Sequence, residues 1–479
     1  MSQASPVRHP ALVLVSLALA QLIIALDYSI VFVALPDIGA KVGFSGQDLQ
    51  WVIGAYGVTF GGFLLLGGRL SDLLGRRRLF MVGLLLYAVA SVAGGLATTT
   101  ELLVVARAVQ GIGGAVLGPA TLSLITTLFR EGPERNKAIG VWGAAGSSGM
   151  VVGSLLGGVL TEVFGWEAVF FVNVPLALIV GLIALRVVPA DVPGPRTGGL
   201  DFPGAVTVTA GALLLVFGLV NGPKAGWTDS VTLGAFAASA VFIALFVVIE
   251  SRTGNPLVPL YVFRNRNLRY GTLITFVFMA TFGASAYFIT LALQTVRGWS
   301  ALSTGLAFIL PCGLILIGTL IGGRMSTAIG VRSTVIISTL VGGVGMALFA
   351  AFLGDGSTFL QMVPGIVVFS LAQGVLWTAM FAAATTGVPN ELQGLASGLA
   401  NCGLQIGSAV GLGVLVAVAA AVSGADPSPA QMSDGLQVAT YTAAVLILLS
   451  VVFALALPRE RAGAPVAVPA EPLEERVEV

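Results

Sequence analysis

Charge is scarce in this chain. Of its 479 residues only 9% are Asp, Glu, Lys or Arg, where a soluble domain carries about 25%, so a water-facing globule is excluded. The formal net charge of +1 says little about partners, and no nucleic-acid partner is expected. Histidine occurs once, as His9 ahead of the first apolar run. Proton chemistry within the membrane must therefore use carboxylates, and no histidine-based catalytic triad can form. The two cysteines, Cys312 and Cys402, both fall in apolar runs, which excludes a disulfide framework. No GxxxxGK[ST] phosphate cradle is present, so nucleotide hydrolysis by that route is excluded. No ligand cluster with metal spacing appears. The chain reads as a non-enzyme with no metal and no cofactor.

What it has is apolar length: 56% of residues are hydrophobic and the mean hydropathy is +0.99. Apolar segments run near 11–35, 49–67, 79–97, 102–127, 138–161, 166–188, 202–220, 231–249, 270–293, 302–321, 334–353, 360–387, 394–422 and 437–457. About 20 residues suffice to cross a bilayer, so the expectation is an all-α polytopic membrane protein with 14 transmembrane helices. The first run passes signal-peptide length without a cleavage site and reads as a retained helix. Segments 202–220 and 231–249 decide for fourteen spans over twelve, because each is long and uncharged enough to cross. Nineteen of the 23 Lys and Arg residues fall in loops on the side of the N-terminus. The positive-inside rule then puts both termini in the cytoplasm.

The first run holds Asp27, four residues past its centre and roughly 6 Å from the midplane. A carboxylate there costs about 2.5–3.5 kcal/mol to insert, so its default reading is functional. Arg107 enters the fourth run from the outside and lies roughly 10 Å outward of its centre, where the two charges can meet. A static ion pair fixing helix packing is the plain alternative. The attraction of the arginine and the cost of burial oppose each other at the acid. Asp27 is thereby poised to gain or lose a proton.

The chain also repeats itself at an offset of about 255 residues. Gly68-x-Leu70-Ser71-x-x-x-Gly75 recurs as Gly323-x-Met325-Ser326-x-x-x-Gly330, and Gln110-Gly111 as Gln373-Gly374. Gly149-xxx-Gly153-xxx-Gly157 recurs as Gly403-xxx-Gly407-xxx-Gly411. Parallel repeats are one transporter plan, with substrate at the midplane between them. The charges do not recur. Thr327 stands for Asp72, Ser370 for Arg107, and the stretch facing Asp27, near Ala284, has no acid. Coupling is therefore expected in the first half. The expected units are a six-helix bundle at 1–188, a connector with two inserted spans at 189–266, a second six-helix bundle at 267–458, and a disordered tail at 459–479.

Four stretches carry a family likeness. Gly68-Arg69-Leu70-Ser71-Asp72-Leu73-Leu74-Gly75-Arg76-Arg77-Arg78-Leu79 resembles the loop between helices two and three of the major facilitator superfamily. Leu26-Asp27-x-x-Ile30-Val31-x-Val33-Ala34-Leu35-Pro36 is similar to the first-helix motif of its fourteen-span drug:proton antiporter branch. Arg107-Ala108-Val109-Gln110-Gly111 resembles its fourth-helix motif. Gly149-x-x-x-Gly153-Ser154-x-x-Gly157-Gly158 resembles its fifth-helix antiporter motif, with Ser154 where proline is usual.

The likeness implies a major-facilitator fold of two six-helix bundles plus two inserted helices, proton coupling through Asp27 and Arg107, and a cytoplasmic gate formed by Gly68, Asp72, Gly75, Arg76 and Arg77. Asp72 is suited to face a helix N-terminus, where the dipole is positive. Gly149, Gly153, Gly157 and Gly158 let helices approach closely or form a bending surface. Asp27, Tyr28, Tyr56, Trp142, Trp377 and Asn401 are the candidate substrate contacts, the aromatics suiting a lipophilic cation. The expected activity is proton-coupled export of lipophilic or cationic small molecules, as in drug or antibiotic efflux, by a monomer in a bacterial cell membrane. Export of one endogenous metabolite, proton-coupled uptake, and a non-transporting receptor or scaffold stay open as alternatives.

Overall fold

The structure is a computed structural model describing residues 9–458 apart from 46–47, 130–132, 192–200, 255, 355, 389–392 and 425–426. The tail at 459–479 and most of the connector at 189–200 lie outside the described residues. Among the described residues, fourteen helices are long and apolar enough to cross a membrane. The first six are α1 (Pro10–Val42), α2 (Asp48–Gly68), α3 (Arg76–Gly95), α4 (Thr100–Leu128), α5 (Lys137–Phe164) and α6 (Ala168–Val187). Then come α7 (Phe202–Gly222) and α8 (Ser230–Arg252). The last six are α9 (Arg266–Val296), α10 (Ala301–Ile329), α11 (Val331–Ala351), α12 (Phe359–Thr385), α13 (Leu395–Ser423) and α14 (Pro429–Ala456). An even number of crossings returns the chain to the face it started from. That face is the terminal face, and the other is the distal face.

The expected count is met, while several ends differ for local reasons. Helix α1 runs past 35 to Val42 and stops at Gly43, which is left-handed with φ 87°. Helix α14 starts before 437 because Ser428 and Gln431 form a capping box that satisfies the first backbone amides. Side chains of Thr99, Asp229, Asn265 and Ser300 likewise accept from amides opening α4, α8, α9 and α10.

The repeated glycines serve the same purpose twice. Gly75 (φ 103°) and Gly330 (φ 84°) turn α2 into α3 and α10 into α11, in a region a β-carbon resists. Just beyond them, Arg77 donates to the Leu185 carbonyl at the end of α6 (2.7 Å) and Arg332 to the Leu455 carbonyl at the end of α14 (2.9 Å). Gly149, Gly153 and Gly157 of α5 lie on the backbone of Leu22, Leu26 and Ile30 in α1. Gly403, Gly407 and Gly411 of α13 lie on Thr272, Phe276 and Ala280 in α9. This second register makes Val277 the counterpart of Asp27, not the stretch near Ala284. The conclusion that no acid stands there is unchanged.

Among the described residues, two seams of close glycine packing join the halves, and Gln294 of α9 also donates to the Val33 carbonyl of α1 (2.9 Å). Helix α2 packs along α13, with Gly57 and Gly61 against Gln405 and Gly398 against Leu65. Helix α7 lies over that seam, Thr209 filling the notch at Gly62 and Leu219 meeting Gly413. Helices α5 and α10 meet at the distal face, where a β-carbon on Gly158 would lie 2.8 Å from the Ala301 carbonyl. Nearer the terminal face, Gly140 of α5 and Gly313 of α10 have open space.

Candidate functional site

Asp27 and Arg107 meet inside the first six helices. The Arg107 Nη1 donates to Asp27 Oδ2 at 2.7 Å, and the two side chains are 1% and 0% exposed. The remaining carboxylate oxygen, Oδ1, accepts from Gln110 Nε2 (2.8 Å) and Asn173 Nδ2 (2.7 Å). A buried carboxylate is tolerated when its lone pairs are used, and three donors from α4 and α6 use them.

Arg107 is held independently of the acid. Its Nε donates to the Val52 carbonyl of α2 (2.7 Å), and Nη1 also reaches Gln110 Oε1 (2.7 Å). Its guanidinium lies 4.4 Å from the centre of the Tyr56 ring, a stacked cation–π arrangement. Gln110 donates in addition to Ser91 Oγ of α3 (3.0 Å). Loss of the charge on Asp27 would thus leave the guanidinium with a carbonyl, an amide oxygen and an aromatic face.

Asn173 is wholly buried and its Oδ1 accepts no hydrogen bond. Exchanging the ends of that amide would offer a protonated Asp27 an acceptor where an ionised one now finds a donor. Five of the first six helices supply this network. The sixth, α5, packs its glycines against α1 on both sides of Asp27, and a β-carbon on Gly153 would lie 2.5 Å from the Leu26 carbonyl.

The other candidates fall in different places. Tyr56 joins the network as the ring under Arg107. Tyr28 is only partly buried, stacks edge-on with Phe32 at 5.4 Å, and packs against two apolar cores, one within the first half and one that runs through both. Trp377 packs between Phe278 (5.8 Å) and Phe381 (5.5 Å) in the second half. Trp142 donates to Thr121 Oγ1 (3.2 Å), and Asn401 to the Ser397 carbonyl of its own helix (3.1 Å). Asp27 and Tyr56, at 0% and 1% exposure, are sealed away from any open surface in this conformation.

At the terminal face, Gly68 approaches Pro119 of α4, while the side chain of Asp72 lies outside the described residues. Among the described residues, an acid that caps a helix start there is Asp191. Its two carboxylate oxygens accept from the Arg77 and Arg78 amides at 2.9 Å each, and it fills the space a side chain on Gly75 would need. Sequence reasoning missed Asp191, because it stands more than a hundred residues from the amides it caps. It also passed over Gln110 and Asn173 as ligands of Asp27, since a neutral amide in an apolar run signals little by itself.

Fourteen spans with an acid–base network sealed inside one half are the build of a polytopic membrane carrier. The Major Facilitator Superfamily model matches residues 17–411 and 271–477. The chain is 35% identical to the cephamycin export protein CmcT of Amycolatopsis lactamdurans, over 91% of each chain. It is 36% identical to a lincomycin resistance protein of Streptomyces lincolnensis, covering 94% of this chain and 92% of that one. The multidrug resistance protein Stp of Mycobacterium tuberculosis is 33% identical, with 86% and 76% covered. Among solved structures, a peptide transporter POT in complex with sulfate has a TM-score of 0.69 at 16% identity, with 93% of this chain and 94% of that chain covered. The chain belongs to the Major Facilitator Superfamily. It is a multi-pass membrane transport protein.

Proposed function

We propose that this protein exports lipophilic or monocationic small molecules from a bacterial cell in exchange for protons, with Asp27 as the proton-carrying group and Arg107 as its electrostatic partner. The observation that carries the reading is the sealed network around Asp27, which gives the acid both donors and, on Asn173, an unused acceptor. The exporters and resistance proteins at 33–36% identity support the direction. Those named for a single antibiotic keep dedicated export beside multidrug efflux.

In this reading residues 1–188 and 267–458 form the two rocking bundles, 189–266 joins them, and both termini face the cytoplasm. The contact at the distal face is then the closed outer gate. Ionised Asp27 favours loading from inside; protonation from outside favours release. Each charge moved down 100 mV supplies about 2.3 kcal/mol.

The test is substrate-induced proton movement in inverted vesicles. Wild type is expected to give a proton signal with at least one compound of a toxic panel, and Asp27→Asn to lose it while reaching the membrane at normal level. An unchanged signal in Asp27→Asn would remove the acid from the mechanism. Silence from wild type across the panel would count against antiport.

A further inference from the structure

Two buried acids take no part in the network around Asp27. Asp201 (2% exposed) precedes α7, and its Oδ1 accepts from the Gly204 amide at 2.8 Å. Glu250 (3% exposed) lies two residues before the end of α8. Its Oε2 accepts from the Val258 amide at 3.0 Å, in the stretch leading into the second half. Each acid has one oxygen bonded and one without a partner, Asp201 Oδ2 and Glu250 Oε1. The two free oxygens converge. Each lies 2.8 Å from the point a β-carbon on Gly204 would occupy, so they are no farther apart than twice that distance.

Among the described residues, no basic side chain on the surrounding elements neutralises them. Helix α7 offers the backbone of Gly204, and the stretch at 257–258 offers backbone amides. On α8 the neighbouring Arg252 is exposed. Among the described residues no Lys, Arg or His forms an ion pair with either acid, and no group of three metal-ligating side chains occurs. Two carboxylates this close and this buried cannot both be ionised at modest cost. One proton between them converts a repulsive pair into a short charge-assisted hydrogen bond.

We propose that Asp201 and Glu250 share a single proton, forming a second protonation site at the terminal face, separate from Asp27. The site clamps the start of α7 and the end of α8 to the stretch at 257–258. That stretch packs with Leu65 of α2 and with Leu395 and Leu399 of α13, at the terminal-face end of the seam α7 covers. Loss of the proton leaves two facing buried charges and loosens the clamp, so the pair reads the pH of the compartment this face meets.

The test uses the purified full-length protein in lipid, with infrared difference spectra taken across a pH step. A protonated-carboxyl C=O band is expected that persists in Asp27→Asn, disappears in Glu250→Gln and in Asp201→Asn, and moves when glutamate and aspartate carboxyls carry carbon-13. Thermal unfolding supplies a second readout. The Tm of wild type is expected to fall as pH rises through loss of the proton, and that of Glu250→Gln to stay level, because its amide replaces the shared proton at every pH. Wild-type spectra lacking a carboxyl band beyond that of Asp27, or a band indifferent to both substitutions, would overturn the proposal. So would a rise in wild-type Tm with added Mg²⁺ or Ca²⁺ that Glu250→Gln lacks, which would make the pair a metal site. If either variant fails to fold, carbon-13 in glutamate alone and in aspartate alone, each in Asp27→Asn, decides the matter, because only a proton shared by one aspartate and one glutamate gives a band that both labels move.

Discussion

Asp27 is legible in a bare sequence because a carboxylate in an apolar run is expensive, and so is Arg107. Their partners are not, because Gln110 and Asn173 cost little in a helix wherever they point. Packing alone aims all three donors at one carboxylate. Removing one partner of a buried ionised group costs about 1.5–3 kcal/mol. Asn173→Leu is therefore expected to lower the Tm and to cut substrate-driven proton movement by roughly ten- to a hundredfold, since each 1.4 kcal/mol is a factor of ten. Measurement in the same inverted vesicles checks it. Wild-type activity in Asn173→Leu would mean that the amide only fills space.

Ser154 stands where the fifth-helix motif usually has proline, and the helix is continuous there. Its hydroxyl donates back to the Met150 carbonyl (3.1 Å) and lies 4.0 Å from Cys312 Sγ on α10. It thus sits beside the distal contact of the two halves. If that contact must open in transport, Ser154→Cys in a Cys402→Ser background should be joined to Cys312 by a short bis-methanethiosulfonate cross-linker, whose two disulfides are reducible. Transport should stop on cross-linking and return on reduction. Retained transport by the cross-linked protein would show that α5 and α10 need not part. Of the neighbouring glycines, Gly149, Gly153 and Gly157 act within the first half, whereas Gly158 meets α10. Gly153→Leu would push α5 off the Leu26 backbone and displace Asp27. Near-complete loss of transport with normal membrane levels is expected, read by immunoblot and efflux. Normal efflux would mean that α1 and α5 tolerate separation. The repeat could be read from glycine spacing, but its register in α9 could not. Only the contacts of Gly407 and Gly411 identify Val277 as the partner position of Asp27.

The molecule is asymmetric in charge though repeated in backbone. Its first half seals an acid and a base together, while the second has Val277 and Ser370 at the matching positions. If Asp27 is the one exchangeable charge that meets the substrate, as proposed, monocations and neutral lipophiles are favoured over dications. Vesicle assays with paired dyes should show efflux of the monocation at least several-fold faster. Equal rates, both dependent on Asp27, would refute the preference. Composition and run length were enough to settle membrane residence, helical class and the number of spans, because burying a polar backbone in hydrocarbon allows few solutions and each solution has a length. Charge in apolar runs was enough to single out Asp27 and Arg107. The donors around Asp27, the cap supplied by Asp191, the cover of α7 over the α2–α13 seam and the facing acids Asp201 and Glu250 all depend on contacts between residues far apart in the chain. Such contacts leave no local pattern, because a neutral amide, a loop acid or a glycine acquires its role only from what packing places against it.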